Sequence, residues 1–119
     1  MNITIYHNPR CSKSRQSLEL LTAANISPTV VEYLNEPPDA ATILQLATWL
    51  DMRVSELLRR GEAEFKDATD LPDLTDDAAL AAWITRNPKT LQRPIIVNMD
   101  QARAVIGRPP ENLLPLVEQ

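Results

Sequence analysis

The chain has 119 residues, 44% of them hydrophobic and 24% charged, which is typical of one globular domain. Its formal net charge of −4 argues against general nucleic-acid binding. One Cys and one His exclude an intrachain disulfide and a Cys/His-rich metal site, and two Gly exclude glycine-rich nucleotide loops. Neither a signal peptide nor the roughly 18 apolar residues of a membrane span is recognisable, so we expect a cytoplasmic protein with a free thiol.

The first third of the chain predicts a βαβ unit. Alternating Ile3 and Ile5 indicate a strand over residues 2–6. A helical pattern of leucines follows over residues 12–25, and the β-branched segment 29–34 predicts a second strand. This order implies parallel strands joined by a right-handed crossover.

The middle of the chain predicts helices. Asp39 is expected to cap one helix, and a shorter helix follows over residues 55–60. Residues 62–77 contain seven acids and one Lys, which indicates a solvated loop with some helix. A further helix begins after Thr75 and ends before Asn87. Three large side chains of these helices are expected in the core: Trp49, Leu50 and Trp83.

The last third returns to strands. Residues 94–97 and 102–106 are predicted strands, and the turn between them makes a hairpin. Pro109-Pro110 can start a final helix, which Pro115 should kink or shorten. The element order predicts an α/β, thioredoxin-like βαβ…ββα core with an all-helical module inserted at about residues 37–90, all within one domain.

Basic residues concentrate at the two ends of the sequence. Residues 1–18 contain three bases and no acid, and residues 86–108 contain five bases and one acid. The intervening residues 19–85 contain four bases and thirteen acids. Nine of the twelve bases are Arg, which suits forked recognition of oxyanions. The two basic segments can meet around an anion, or their charges can simply be solvated.

Cys11 lies where the first predicted strand passes into the first helix. As the N-cap, its sulfur can accept hydrogen bonds from the backbone N–H groups of Lys13 and Ser14, and the helix dipole favours the thiolate. The positive charges of Lys13, Arg10 and Arg15 should also lower the pKa of the thiol.

Two further side chains are candidates for activating the thiol. The hydroxyl of Ser14 can donate to the sulfur, and His7 can pair with the thiolate as an imidazolium. The alternatives remain a buried, inert cysteine and an ordinary polar histidine at the end of a strand.

The residues around Cys11 exclude two kinds of cysteine chemistry. Residues 11–14 form Cys-x-x-Ser, so no resolving thiol follows, and any disulfide in a reaction cycle must involve another molecule. A phosphatase-type loop would need an Arg at position 17, which is Ser17.

Residues 7–15, His-Asn-Pro-Arg-Cys-Ser-Lys-Ser-Arg, resemble the active-site loop of the glutaredoxin-coupled arsenate reductases of the ArsC family. The loop is most similar to that of a chromosomal subgroup with the string HNPRCSKSR. The likeness continues in register through four segments: 33–38, 57–60, 93–97 and 107–110. It covers nearly the whole chain.

The resemblance implies roles for particular residues. Cys11 would attack arsenate, and three arginines would hold the oxyanion: Arg59, Arg93 and Arg108. Arg59 is chosen over Arg60 because it directly follows the Leu57-Leu58 pair. Three residues would lower or orient the thiolate: His7, Ser14 and Arg15. The resemblance also implies a cis peptide bond at Pro94.

The resemblance also implies partners. Glutathione would be a co-substrate, glutaredoxin would resolve the product disulfide, and arsenite would leave. We expect a monomer with no tightly bound cofactor, no metal, and no nucleic-acid or membrane partner. The sequence differs from the best-known members at Arg10 and Ser12-Lys13, which bears on the substrate more than on the thiol chemistry.

Three other interpretations stay open. The protein can be a different glutathione-linked thiol oxidoreductase, or a non-enzymatic regulator similar to the Spx type that binds RNA polymerase. Those regulators commonly carry Cys-x-x-Cys, which this sequence lacks. The third interpretation is a globular domain with an unused cysteine.

Overall fold

The structure, a computed structural model, describes residues 1–118 and divides into two compact units. The first unit comprises residues 1–33 and 93–118, and the second comprises residues 34–92. The boundaries lie close to the predicted ends of the helical insertion at 37–90. That the two units act as a single domain stays a prediction.

The first unit contains a four-stranded sheet in the order β2-β1-β3-β4. Its strands are β1 (Ile3–His7), β2 (Thr29–Glu32), β3 (Ile95–Asn98) and β4 (Arg103–Ile106). β1 pairs with β2 in parallel and with β3 in antiparallel orientation, and β3 and β4 form an antiparallel hairpin. The predicted βαβ unit and hairpin are confirmed. β3 begins after Pro94 rather than at it, because proline has no N–H for the strand ladder.

Five α-helices and three 3₁₀ turns complete the two units across residues 1–118. The α-helices are α1 (Ser12–Ala23), α2 (Ala40–Leu50), α3 (Ala63–Lys66), α4 (Asp77–Arg86) and α5 (Leu114–Val117). The 3₁₀ turns are Val54–Leu57, Pro88–Thr90 and Pro110–Leu113. Within the described residues, no helix is long and apolar enough to cross a bilayer.

The core of the first unit lies between its sheet and its helices. Six buried apolar side chains form it: Ile3, Ile5, Leu21, Ile96, Leu113 and Leu116. The predicted C-terminal helix is split into a 3₁₀ turn followed by α5. Pro115 therefore lies in the first turn of α5 rather than inside a longer helix, where its missing N–H leaves no intrahelical bond unmade.

The second unit is helical, with acidic residues at its helix starts. Asp39 caps α2 as predicted, accepting a hydrogen bond from Thr42 N at 2.8 Å. Asp76 caps α4, accepting from Ala79 N at 3.1 Å. The acidic segment 62–77 contains the short helix α3, as predicted.

The predicted helix over residues 55–60 is wrong in type and length. The chain forms only a 3₁₀ turn ending at Leu57, and Leu58 then forms a bridge with Leu91. Arg59 N donates to Thr90 O at 2.7 Å, and Gln92 N donates to Leu57 O at 2.8 Å. Leu57 and Leu58 are both buried, and successive side chains of an extended segment point to opposite faces, so this segment is covered on both sides.

The predicted core positions of the second unit are only partly correct. Trp83 is fully buried, and its Nε1 donates to Asp70 Oδ1 at 3.0 Å. Trp49 and Leu50 are only half-buried at the end of α2. A buried indole N–H needs an acceptor, and the carboxylate of Asp70 provides it. This hydrogen bond links the acidic segment to α4.

Candidate active site

The loop between β1 and α1 is held by Asn8. The carbonyl of Asn8 accepts from Cys11 N at 3.0 Å, and its side-chain Oδ1 accepts from Arg10 N, also at 3.0 Å. Asn8 is buried, and these two hydrogen bonds hold the backbone where the chain passes through Cys11 into α1. Asn8 is not among the site residues expected from the sequence. The preference of Asn for such side-chain turns is the signal that could have identified it.

The sulfur of Cys11 is half-buried and belongs to a free thiol at the N-cap of α1. The backbone N–H groups of Ser14 and Lys13 donate to the sulfur, as predicted, although neither contact has regular capping geometry. Arg108 Nη1 lies 3.6 Å from Sγ, and Arg93 also donates a side-chain hydrogen bond to the sulfur. Two guanidinium groups therefore meet at the thiol.

The pKa of Cys11 lies below the usual cysteine value, as predicted. Burial raises it, but the backbone N–H groups of Ser14 and Lys13 lower it, because their partial positive charge favours the thiolate. The guanidinium groups of Arg93 and Arg108 lower it further. The predicted contribution from the charged side chain of Lys13 is not among these causes.

His7 and Ser14 bond to each other instead of to the sulfur. Their atoms Nδ1 and Oγ are 2.6 Å apart, and Ser14 Oγ also accepts from Asn8 N at 3.0 Å. The predicted donation from the Ser14 hydroxyl to Cys11 is therefore wrong, as is the predicted imidazolium–thiolate pair. The end of β1 and the first turn of α1 are thus joined directly across the loop that carries Cys11.

The imidazole of His7 is biased towards its neutral form. Burial lowers its pKa, Glu32 raises it and Arg15 lowers it, with the net pKa below the ordinary histidine value. The side chain is 7% exposed, which explains why desolvation is the largest cause. A neutral ring can hold the Ser14 hydroxyl, and Ser14 acts on the sulfur through its backbone N–H.

Arg15 ties the first turn of α1 to the loop. Its Nη1 donates to Pro9 O at 2.9 Å, and its charge is one of the groups that lower the pKa of His7. Neither its side chain nor that of Arg10 is among the groups that set the pKa of Cys11. A role for Arg15 in activating the thiol stays a prediction.

Arg93 and Arg108, fifteen positions apart in sequence, are brought together by the backbone of the first unit. Gly107 N donates to Pro94 O at 2.9 Å, and Arg108 Nη1 donates to Arg93 O at 3.3 Å. The expected cis peptide bond before Pro94 is confirmed, and a second, unanticipated one precedes Pro109. These contacts direct both guanidinium groups to Cys11.

Arg59 belongs to the second unit and has polar partners there. Its Nε contacts Glu62 Oε1 at 3.3 Å, and its Nη1 donates to Gln92 Oε1 at 3.0 Å. The neighbouring Arg60 is exposed, with its guanidinium 6.0 Å from the ring centroid of Phe65. The choice of Arg59 over Arg60 stays a prediction.

Comparison with known proteins identifies the family. The model of the ArsC family matches residues 6–116. The chain belongs to the ArsC family. This membership confirms the resemblance seen in the loop around Cys11, while the assignment to a chromosomal subgroup stays a prediction.

Relatives of this ArsC-family chain include both named enzymes and a protein without a described function. An arsenate reductase from Neisseria meningitidis is 39% identical over 113 residues, covering 93% of this chain and 94% of the relative. The uncharacterized protein YfgD of Escherichia coli is 44% identical over 116 residues, covering 97% and 96%. The solved structure of an arsenate reductase from Vibrio cholerae has a TM-score of 0.86 at 36% identity, covering 98% of both chains. The thioredoxin-like fold class is thereby confirmed.

Proposed function

We propose that this ArsC-family protein is an arsenate reductase, an oxidoreductase that uses the Cys11 thiolate as nucleophile and glutathione and glutaredoxin as reductants. The observation that carries the proposal is the 3.6 Å approach of Arg108 Nη1 to Cys11 Sγ, with Arg93 as a second donor. A nucleophile beside two guanidinium groups suits an anionic electrophile. The relatives named arsenate reductases supply the identity of that anion.

Arsenate would bind through its negatively charged oxygens. Arg93 and Arg108 can each present two N–H donors to a tetrahedral oxyanion, in charge-assisted hydrogen bonds. The N–H groups at the start of α1 add partial positive charge on the same anion. Arg59 is proposed as the third arginine on the strength of its family motif alone.

The first chemical step would be attack of the Cys11 thiolate on arsenic. A sulfur–arsenic bond forms and an arsenic–oxygen bond breaks, with the departing oxygen leaving as water after it takes up protons. Arsenic stays in the As(V) state in this step. The lowered pKa of Cys11 favours the reaction because the thiolate, not the thiol, is the nucleophile.

Reduction would follow when a glutathione thiolate adds. The glutathione sulfur attacks the sulfur of Cys11 and a disulfide forms as the sulfur–arsenic bond breaks. The electron pair of the broken bond stays on arsenic, which is reduced from As(V) to As(III). Arsenite then leaves. Glutathione is therefore a consumed co-substrate, and no tightly bound cofactor is proposed.

An external thiol must regenerate Cys11, because the chain has no second cysteine to resolve the mixed disulfide. A glutaredoxin thiolate would attack the glutathione sulfur of the disulfide, take the glutathionyl group and release the Cys11 thiolate. A further glutathione restores glutaredoxin and yields glutathione disulfide. This cycle requires the reducing conditions of the cytoplasm, and a monomer can perform it.

The decisive experiment is arsenate reduction with glutathione, with and without glutaredoxin, on the wild type and Cys11→Ser. We expect turnover that depends on glutaredoxin in the wild type, and loss of turnover to the uncatalysed background in the variant. Thermal unfolding of both proteins controls for loss of structure. Substantial glutaredoxin-dependent turnover by Cys11→Ser would reject the mechanism.

The same assay separates the alternative interpretations. Phosphate as a competitor and small disulfides as substrates test for a different glutathione-linked thiol oxidoreductase, which would prefer the disulfides to arsenate. Capture of RNA polymerase that persists in Cys11→Ser, together with no arsenate turnover, would favour a regulator.

A further inference from the structure

Gly107 occupies a position with no room for a side chain. A Cβ added there would lie 2.5 Å from Ser17 Oγ, 2.9 Å from Pro94 Cγ and 3.0 Å from Ile96 Cδ1. Its φ is not in the left-handed region, so the backbone conformation does not require glycine. Close packing alone explains the residue type. The other glycine, Gly61, has nothing within 4 Å of the same position.

The residues that surround Gly107 belong to the segments that bear the reactive groups. Ser17 is on α1, and its Oγ donates at 2.9 Å to the carbonyl of Lys13, which lies two positions after Cys11. Pro94 directly follows Arg93, and its carbonyl accepts from Gly107 N at 2.9 Å. Arg108 directly follows Gly107 itself. One Cα therefore lies at the junction of the three segments that carry the thiol and both guanidinium groups.

We infer that Gly107 is a positioning residue whose missing side chain sets the separation between the sulfur of Cys11 and the guanidinium groups of Arg93 and Arg108. It touches none of the reacting atoms and acts through the backbone on either side of it. The effect on arsenate turnover rests on the proposed function, whereas the effect on the thiol does not.

An added methyl group would force the segments apart, because its neighbours have little freedom to move. Pro94 Cγ belongs to a buried ring and Ile96 lies in the core of the sheet. The contacts at risk are long already, at 3.6 Å for Arg108 Nη1 to Cys11 Sγ and 3.3 Å for Arg108 Nη1 to Arg93 O. A displacement of a few tenths of an ångström weakens both.

The test compares Gly107→Ala with Gly61→Ala, a matched change where the added methyl meets no atom. Titration of the Cys11 thiolate by its ultraviolet absorbance, and the rate of its alkylation at neutral pH, report on the thiol without arsenate. Thermal unfolding reports on the fold. For Gly107→Ala we expect a titration midpoint moved to higher pH, slower alkylation, and about a 10- to 100-fold loss of kcat/KM for arsenate, as for other small misplacements of reacting groups. Gly61→Ala should match the wild type.

A relief variant tests the cause. Ser17→Ala removes the hydroxyl that is the nearest of the three contacts, so Gly107→Ala combined with Ser17→Ala should recover part of the lost alkylation rate. If Gly107→Ala does not fold, the double variant undergoes the same measurements in its place.

The outcomes separate this inference from the proposed function. A folded Gly107→Ala with wild-type titration, alkylation and kcat/KM overturns the inference. Failure of both Gly107→Ala and the double variant to fold also overturns it, since Gly107 would then serve the core and not the site. If the wild type reduces no arsenate, the proposed function fails, but the thiol titration still decides the role of Gly107.

Discussion

The two compact units differ in what meets the backbone N–H groups at the first turns of their helices. In the second unit, the carboxylates of Asp39 and Asp76 accept hydrogen bonds from the first turns of α2 and α4. In the first unit, Cys11 occupies the same position on α1, and the backbone N–H groups of Ser14 and Lys13 meet its sulfur instead of a carboxylate. The carboxylate caps stabilise their helices, whereas the amides at Cys11 stay available to favour a thiolate and an incoming anion.

The cations of the two units differ in the same way. In the second unit, three cations pair with carboxylates: Arg53 with Asp77 at 3.2 Å, Arg59 with Glu62 at 3.3 Å and Lys89 with Glu64 at 3.7 Å. In the first unit, Arg108 donates to a carbonyl and to the sulfur of Cys11. A guanidinium whose partners are a carbonyl and a sulfur, rather than a carboxylate, keeps its positive charge at the thiol.

Arg108→Ala should break this contrast most severely. It removes the guanidinium nearest to Cys11, so we expect kcat/KM for arsenate to fall about 100-fold, the scale for losing one donor to a developing anion. Arg108→Lys keeps the positive charge but loses the forked pair of donors, so its kcat/KM should lie between those of the wild type and Arg108→Ala. Arg103→Ala, an exposed change on β4, is the control and should leave kinetics unchanged. Equal losses in Arg103→Ala and Arg108→Ala would mean that only net charge matters.

Arg59→Ala tests whether the second unit contributes a cation to the reaction. We expect about a tenfold rise in KM for arsenate, the scale of one charge-assisted hydrogen bond. The effect is smaller than for Arg108 because Glu62 already pairs with Arg59. Arg60→Ala is the matched neighbour and should leave KM unchanged, and the reverse result would transfer the role to Arg60. Steady-state kinetics at fixed glutathione measure both.

The pH dependence sharpens the contrast at the level of the thiol. Because the pKa of Cys11 is lowered in the folded protein, alkylation should stay fast below the usual cysteine range and then decline about tenfold per pH unit. The folded state favours the thiolate, so its stabilising effect is full above the unfolded pKa and is lost as the pH falls through the folded pKa. The difference in Tm between wild type and Cys11→Ser, measured across that window, should shrink on acidification. A difference that grows would reverse the sign of the shift.

Asp76→Ala should have the smallest effect and should leave the first unit untouched. Removing a capping carboxylate costs about 1 kcal/mol of stability. Asp76→Asn keeps a side-chain acceptor for Ala79 N and should recover most of that loss. Urea unfolding measures the stability, and alkylation of Cys11 should be identical in all three proteins. A changed alkylation rate would show that the helix caps of the second unit influence the thiol.

Most elements could be predicted from the sequence because their signals are local. The alternation of Ile3 and Ile5, the cap at Asp39 and the apolar run 95–97 each depend on near neighbours, and their strands and helix formed close to where they were expected. The helix over 55–60 failed for the opposite reason. Its backbone is pulled into extended pairing with a segment about thirty positions later, around Leu91, and no local pattern contains that partner.

The candidate site divides in the same way. The position of a lone cysteine at a strand-to-helix junction, and the direction of its pKa shift, follow from the order of elements and the amides of one helix. The partners of Ser14 do not, because its hydroxyl has a choice between the sulfur, His7 and Asn8, and only the folded loop decides among them.

By itself, the sequence therefore determined the fold class, the position of the lone cysteine and the charge of its surroundings, since these arise from residue type and short-range pattern. Only the tertiary structure decided that Arg108 reaches Cys11 across 97 positions, and that Gly107 leaves the space for it. The physical reason is that a side-chain contact depends on distances set by packing of distant segments to within a few tenths of an ångström. Local pattern carries no information on that scale.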